Sequence, residues 1–192
     1  TCLDFFLLTH SDILHSDATV SNINGKRKAV ILCTDKEQVL YQHLDHKGHV
    51  GLSPTPVKDF KGTIVHDHDK SYYSYGSSHQ ECIAHKFRYL VGAIESEPNL
   101  KWHKQMHDLL QKMIHIAKKN KTGIPNEQVN KLTNKYVSIL ELAANEYENN
   151  PPTKDYLDGF TLQKGCENNK TTIYTFSNIL MLTIRTTSVN EN

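Results

Sequence analysis

The stretch Gly62-Thr63-Ile64-Val65-His66-Asp67-His68-Asp69, continuing into Lys70-Ser71-Tyr72-Tyr73-Ser74-Tyr75, decides how the rest of the chain is read. Thr63, Ile64 and Val65 form a short β-favouring apolar run, which reads as a buried strand. The run stops at a cluster of aspartates and histidines, and an aromatic loop follows. In open α/β sheets the carboxyl ends of the strands face the crevice that holds ligands. Asp67 is therefore a candidate ligand-side carboxylate, and the remaining chain is searched for its partners.

Upstream, Ile13 to Val20 reads as a first strand with one central carboxylate, Asp17. Asn24-Gly25 is a strong two-residue hairpin signal. Arg27 to Thr34 reads as a second strand, apolar enough to be central, and Val39 to Leu44 as a third. These three make an antiparallel meander, and Thr63 to Val65 is the fourth strand. Asp45 to Pro56 reads as loop, and Val57 to Lys61 as a helical turn. Neighbouring antiparallel strands are expected to bring Asp17 and Asp67 together.

Downstream the period changes. Cys82, Ile83, Phe87, Leu90, Val91 and Ile94 recur at helical spacing, so Gln80 to Glu95 is expected to be an amphipathic helix packed on the sheet. Leu100 to Lys121 and Asn126 to Asn149 carry long apolar stripes and a short connection, the pattern of an antiparallel helical hairpin. Asp155 to Lys164 reads as one more short helix. Gly165 to Asn192 is rich in Thr and Asn, shows no helical stripe, and carries an isolated apolar patch, Ile179 to Leu182.

The chain has 192 residues and a formal net charge of +1, so no global field argues for nucleic acid or membrane. No apolar run approaches the length of a membrane span, and no secretory signal opens the chain. The 4 cysteines are widely spaced without a CxxC pair, which suggests reduced thiols and a cytoplasmic location. Thr1 is not a natural start, so the sequence reads as a piece of a longer protein.

Specific motifs add to this reading. Leu14-His15-Ser16-Asp17-Ala18-Thr19-Val20 resembles the segment around the first acidic residue of insertion sequence 66 (IS66) family transposases, usually "hxDET". Phe60 to His68 with Tyr72, then His79, Cys82, Ala84-His85 and Arg88, is similar to that family's "fkGxivhDhwxxYy" and "HxxCxaHhxReL". Two departures stand out: Ala18 replaces a usual Glu, and Asp69 replaces a usual aromatic. The resemblance implies an α/β fold of ribonuclease-H-like type, a mixed sheet of meander plus fourth strand, with a helical-hairpin insertion. It divides the chain into a catalytic core over 1–97, an insertion over 98–164 and a tail over 165–192.

The resemblance also implies DNA strand cleavage and transfer, with Asp17 and Asp67 as catalytic residues and ligands of Mg2+ (or Mn2+). DNA would be the partner, at element ends and target, and an oligomer is left open. Two such ions roughly 4 Å apart can activate the attacking oxygen and neutralise the leaving one. The family's third acid is a Glu in a "DNNxxERxxR" helix, a motif that this chain lacks. A one-base shift near codon 164 would let Arg185 to Glu191 be recoded as a matching segment, so residues 165–192 read as frameshifted and the chain as inactive alone.

Other readings compete. A working nuclease of the same fold would need a third carboxylate from Glu141, Glu146 or Asp158. A zinc-binding module could use His66, His68, His79, Cys82 and His85, although a second pair with finger spacing is missing. His66, His68, His85 and Arg88 are candidates for supporting the acids or touching DNA. Asp69 reads as a solvated loop residue. Tyr72, Tyr73 and Tyr75 read as packing more than as base-stacking groups.

Overall fold

The computed structural model describes residues 2–120, 123–152 and 158–168. The chain divides into two compact units, Thr1–His85 and Lys86–Asn192.

The first unit is built on a five-stranded mixed sheet in the order β3-β2-β1-β4-β5. A helix, α1 (Cys2–Thr9), precedes β1 (Ile13–Ile23), β2 (Lys26–Thr34) and β3 (Val39–Leu44). Period-two burial places Leu14, Ser16 and Ala18 of β1 and Ala29, Ile31 and Cys33 of β2 inside. Asn24 (φ 52°) and Gly25 (φ 75°) make the turn between them, because a type I′ hairpin needs two left-handed residues in succession. The meander is as expected: β1 pairs antiparallel with β2, and β2 with β3.

The other side of the sheet departs from expectation. β4 (Thr63–His66) pairs with β1 in parallel, with His15 opposite Val65. A fifth strand, β5 (Ser78–Glu81), then pairs in parallel with β4. Residues 78–81, Ser-His-Gln-Glu, carry no apolar alternation. Only backbone pairing to β4 makes them a strand, so the helix starts at Ile83 and not at Gln80. A short helix, α2 (Gly48–Leu52), also lies within the stretch expected to be loop, where it buries Leu52. A 3-10 turn over Pro56–Lys58 overlaps the start of the helical turn expected over Val57 to Lys61.

Leu8, Leu14, Ile31, Leu52, Val57, Phe60, Ile64 and Tyr72 form the core of this unit. Each large apolar side chain removed from water contributes roughly 1.5–3 kcal/mol.

The second unit is helical. α3 (Ile83–Ser96) carries the chain into it, followed by α4 (Trp102–Lys119), α5 (Asn126–Asn149) and α6 (Asp158–Asn168). The stripe Trp102, Met106, Leu109, Leu110, Met113 and Ala117 is buried on α4, and Leu132, Tyr136, Ile139, Ala143 and Tyr147 on α5. Glu146, near the end of α5, accepts hydrogen bonds from the backbone N–H of Lys101 (3.0 Å) and Trp102 (3.1 Å) at the start of α4. That contact makes the two helices antiparallel, as their stripes and short connection imply. Val91, expected on the buried stripe of α3, is 44% exposed. α6 runs past Lys164 and buries Leu162 and Cys166. The expected tail from residue 169 onward lies outside the described residues.

Candidate metal centre

Asp17 and Asp67 meet because of strand register. His15 pairs with Val65, and each aspartate lies two residues further along its own strand direction. Side chains repeat every second residue along a strand and neighbouring strands lie about 4.8 Å apart, so equivalent positions put their side chains on one face. His85 comes from the first turn of α3, just after β5. The turn between them is pinned by the Cys82 N–H donating to the His66 carbonyl at 2.6 Å.

One oxygen of Asp17, one of Asp67 and one ring nitrogen of His85 all lie within 4.8 Å of one another. Opposite ligands of a cation with bonds of ~2.1 Å stand about 4.2 Å apart, so a small side-chain adjustment suffices to share one ion. Asp17 is exposed, while Asp67 and His85 are half-buried.

Local hydrogen bonds aim the carboxylates. Oδ1 of Asp17 accepts from the Ala18 N–H at 2.8 Å, and Oδ1 of Asp67 accepts from the Asp69 N–H at 3.0 Å. Lys47 donates to the Ala18 carbonyl, beside Asp17. Beneath them, the fully buried Tyr72 places its hydroxyl 3.1 Å from Ser16 Oγ. Burial pushes the Tyr72 hydroxyl well above the usual tyrosine range, so it stays protonated.

His66 is 1% exposed and stacks on Tyr72 at 4.8 Å between ring centroids. Its Nδ1 lies 2.5 Å from the Asp67 carbonyl, which can only accept, so Nδ1 carries the hydrogen. Burial lowers its pKa to about 4, against smaller opposing contributions from that bond and from nearby acids. The ring is neutral and buttresses the backbone of Asp67. Its edge also meets Tyr73 and His79.

The remaining candidates fall elsewhere. His68 Nδ1 and the Tyr73 hydroxyl both reach Glu81 Oε1, at 2.6 and 2.7 Å. Asp69, a half-exposed loop residue, also caps the 3-10 turn that follows: its Oδ1 accepts from the backbone and the hydroxyl of Ser71 at 2.9 and 2.6 Å. Burial would raise its pKa, but the Ser71 hydrogen bonds and Lys47 outweigh that and hold it low. Arg88 is exposed on α3.

Glu146 is engaged at the start of α4, Glu141 is exposed, and the side chain of Asp158 lies outside the described residues. Among the described residues, neither a third carboxylate nor Cys82 joins a group of three ligating atoms; the group found is Asp17, Asp67 and His85. Sequence reasoning missed Glu81, a buried acid beside the centre, because its strand has no apolar pattern to announce it. It placed His85 in a zinc-binding alternative and among the residues that support the acids or touch DNA, but not with Asp17 and Asp67 as a ligand. The signal that could have raised His85 is its place three residues after Cys82, in the turn that follows a sheet-edge segment.

The domain is mixed α/β and brings two carboxylates and an imidazole together past paired parallel strands, a candidate group for a divalent cation. The family model for "Transposase IS66 family" matches residues 7–184, and the chain belongs to that family. No curated protein and no solved structure matches it. Among the described residues no helix is long and apolar enough to cross a membrane.

Proposed function

We propose that this chain is the catalytic part of a DNA transposase with a ribonuclease-H-like core, in which Asp17 and Asp67 hold a divalent cation, Mg2+ or Mn2+, against DNA. The observation that carries the reading is the convergence of these two carboxylates and His85 to within 4.8 Å. The sheet order, with an antiparallel meander on one side and two parallel strands on the other, supports the ribonuclease-H-like assignment. Residues 98–164 are the helical insertion of this plan.

Transfer of a phosphodiester asks mainly for charge stabilisation and in-line positioning. A bound divalent cation would supply that charge. The chain's own part is to aim the ligands. Asp17 and Asp67 present oxygens, which hard cations accept. His66 holds the Asp67 backbone from below, and Glu81 ties His68 and Tyr73 in place. Arg88, exposed on α3, is available to DNA phosphate.

On this reading the chain is inactive in strand transfer on its own, because the "DNNxxERxxR" motif that carries the family's third acid does not occur in its sequence. Residues 165–192 are read as frameshifted sequence in place of the helix that would carry it.

Titration calorimetry with Mn2+ and Mg2+ tests the reading. The chain is expected to bind either ion, and Asp67→Asn and Asp17→Asn each to weaken binding at least about tenfold, since even outer-shell partners cost 10- to 100-fold. Unaltered binding in both variants, or none in the parent chain, overturns it.

A further inference from the structure

We infer that His85 is the third direct ligand of this centre, and that its imidazole nitrogen makes the centre select a first-row transition ion over Mg2+. This rests on the reading of Asp17 and Asp67 as cation ligands.

Two independent observations support it. His85 has a ring nitrogen within 4.8 Å of an oxygen of each aspartate. Its Nδ1 is also buried and, among the described residues, finds no hydrogen-bond partner. A buried polar atom of that kind normally finds a partner. Metal-ligating histidines usually engage both ring nitrogens, one on the ion and one on a neighbour. His85 sits in the first turn of α3, three residues after Cys82, whose N–H bonds to the β4 backbone at 2.6 Å.

The chemistry of the donor set decides the ion. Carboxylate and water suit Mg2+, Ca2+ and Mn2+ alike, whereas imidazole suits transition metals and adds little for Mg2+, which keeps its waters. Two carboxylate oxygens and one imidazole nitrogen therefore shift the balance towards Mn2+ and the ions after it in the Irving–Williams order. His85 stands here as a nitrogen ligand beside two acids, at a centre where no third carboxylate joins among the described residues.

The test uses the full chain loaded with Mn2+. Pulsed electron paramagnetic resonance is expected to show coupling to a directly bonded 14N, absent in His85→Ala and in the milder His85→Gln. Competition titrations are expected to show Mn2+ affinity falling at least about tenfold in both variants while Mg2+ affinity changes less. Mn2+ that binds, is lost in Asp67→Asn and shows no nitrogen coupling in the parent chain overturns the role of His85 and leaves the aspartate pair standing. Absence of any Mn2+ binding in the parent chain overturns both. The parent spectrum decides the matter even if both His85 variants fail to fold.

Discussion

At the scale of single residues, His66 shows how burial sets protonation. The ring is 1% exposed and its pKa falls to about 4, while an unfolded histidine titrates near 6.5. The unfolded chain therefore binds a proton as pH drops below about 6.5, and the folded chain does not until about pH 4. The stability from neutral His66 is fully present above that window, is lost progressively as pH falls through it, and levels off below. At 1.36 kcal/mol per pKa unit, the loss is on the order of 3 kcal/mol. Urea midpoints are expected to drop between pH 7 and pH 4.5. His66→Phe is expected to be weaker at pH 7, having lost the bond to the Asp67 carbonyl, and flatter with pH. An equally steep pH dependence in that variant removes His66 as the cause. That Asp17 and Asp67 come together was expected from their motifs. The capping role of Asp69 was not legible in the sequence, because its Ser71 bonds exist only once the 3-10 turn over Lys70–Ser74 is formed.

At the scale of elements, the approach of β1 to β4 depends on Gly62. A Cβ there would stand 2.5 Å from the Asp12 carbonyl oxygen and 2.7 Å from Phe60 Cζ. The first of these is backbone and cannot swing aside. Gly62→Ala is expected to cost about 1–3 kcal/mol, the range for overpacking. It should also weaken metal binding by disturbing the register that aligns Asp17 with Asp67, so unfolding curves and calorimetry are read together. Normal stability and normal affinity together would rule out this register argument.

The helical hairpin has its own lock. Glu146 accepts from Lys101 N and Trp102 N, where the start of α4 presents unpaired N–H groups and a positive dipole end. Glu146→Ala is expected to destabilise by about 1–2 kcal/mol, as loss of a cap does, and Glu146→Gln by less. Thermal melts would show the difference. The apolar stripes of α4 and α5 made both helices legible in sequence, since a period of 3.6 survives any tertiary context. β5 was not legible, because Ser78, His79, Gln80 and Glu81 became a strand only through their pairing with β4.

At the scale of the whole molecule, the issue is where the third acid comes from. The chain is expected not to nick supercoiled plasmid with Mg2+ or Mn2+. If a single-base change near codon 164 restores the family motif, the product of that repaired gene is expected to nick DNA, and Asp67→Asn in it to lose the activity. A nucleotide sequence in which no such change restores the motif ends the frameshift proposal. Metal-dependent nicking by the unrepaired chain would instead point to a complete site within it.

The antiparallel meander of β1 to β3, the Asn24-Gly25 turn, the two long helices and the approach of Asp17 to Asp67 followed from the sequence alone. Each is written in short-range patterns: alternation, helical period, turn chemistry and motif spacing. The parallel pairing of β4 with β1, the fifth strand and the arrival of His85 beside the acids were decided only by tertiary structure. These depend on which backbones lie side by side across tens of residues of intervening chain, and local sequence pattern carries no record of that.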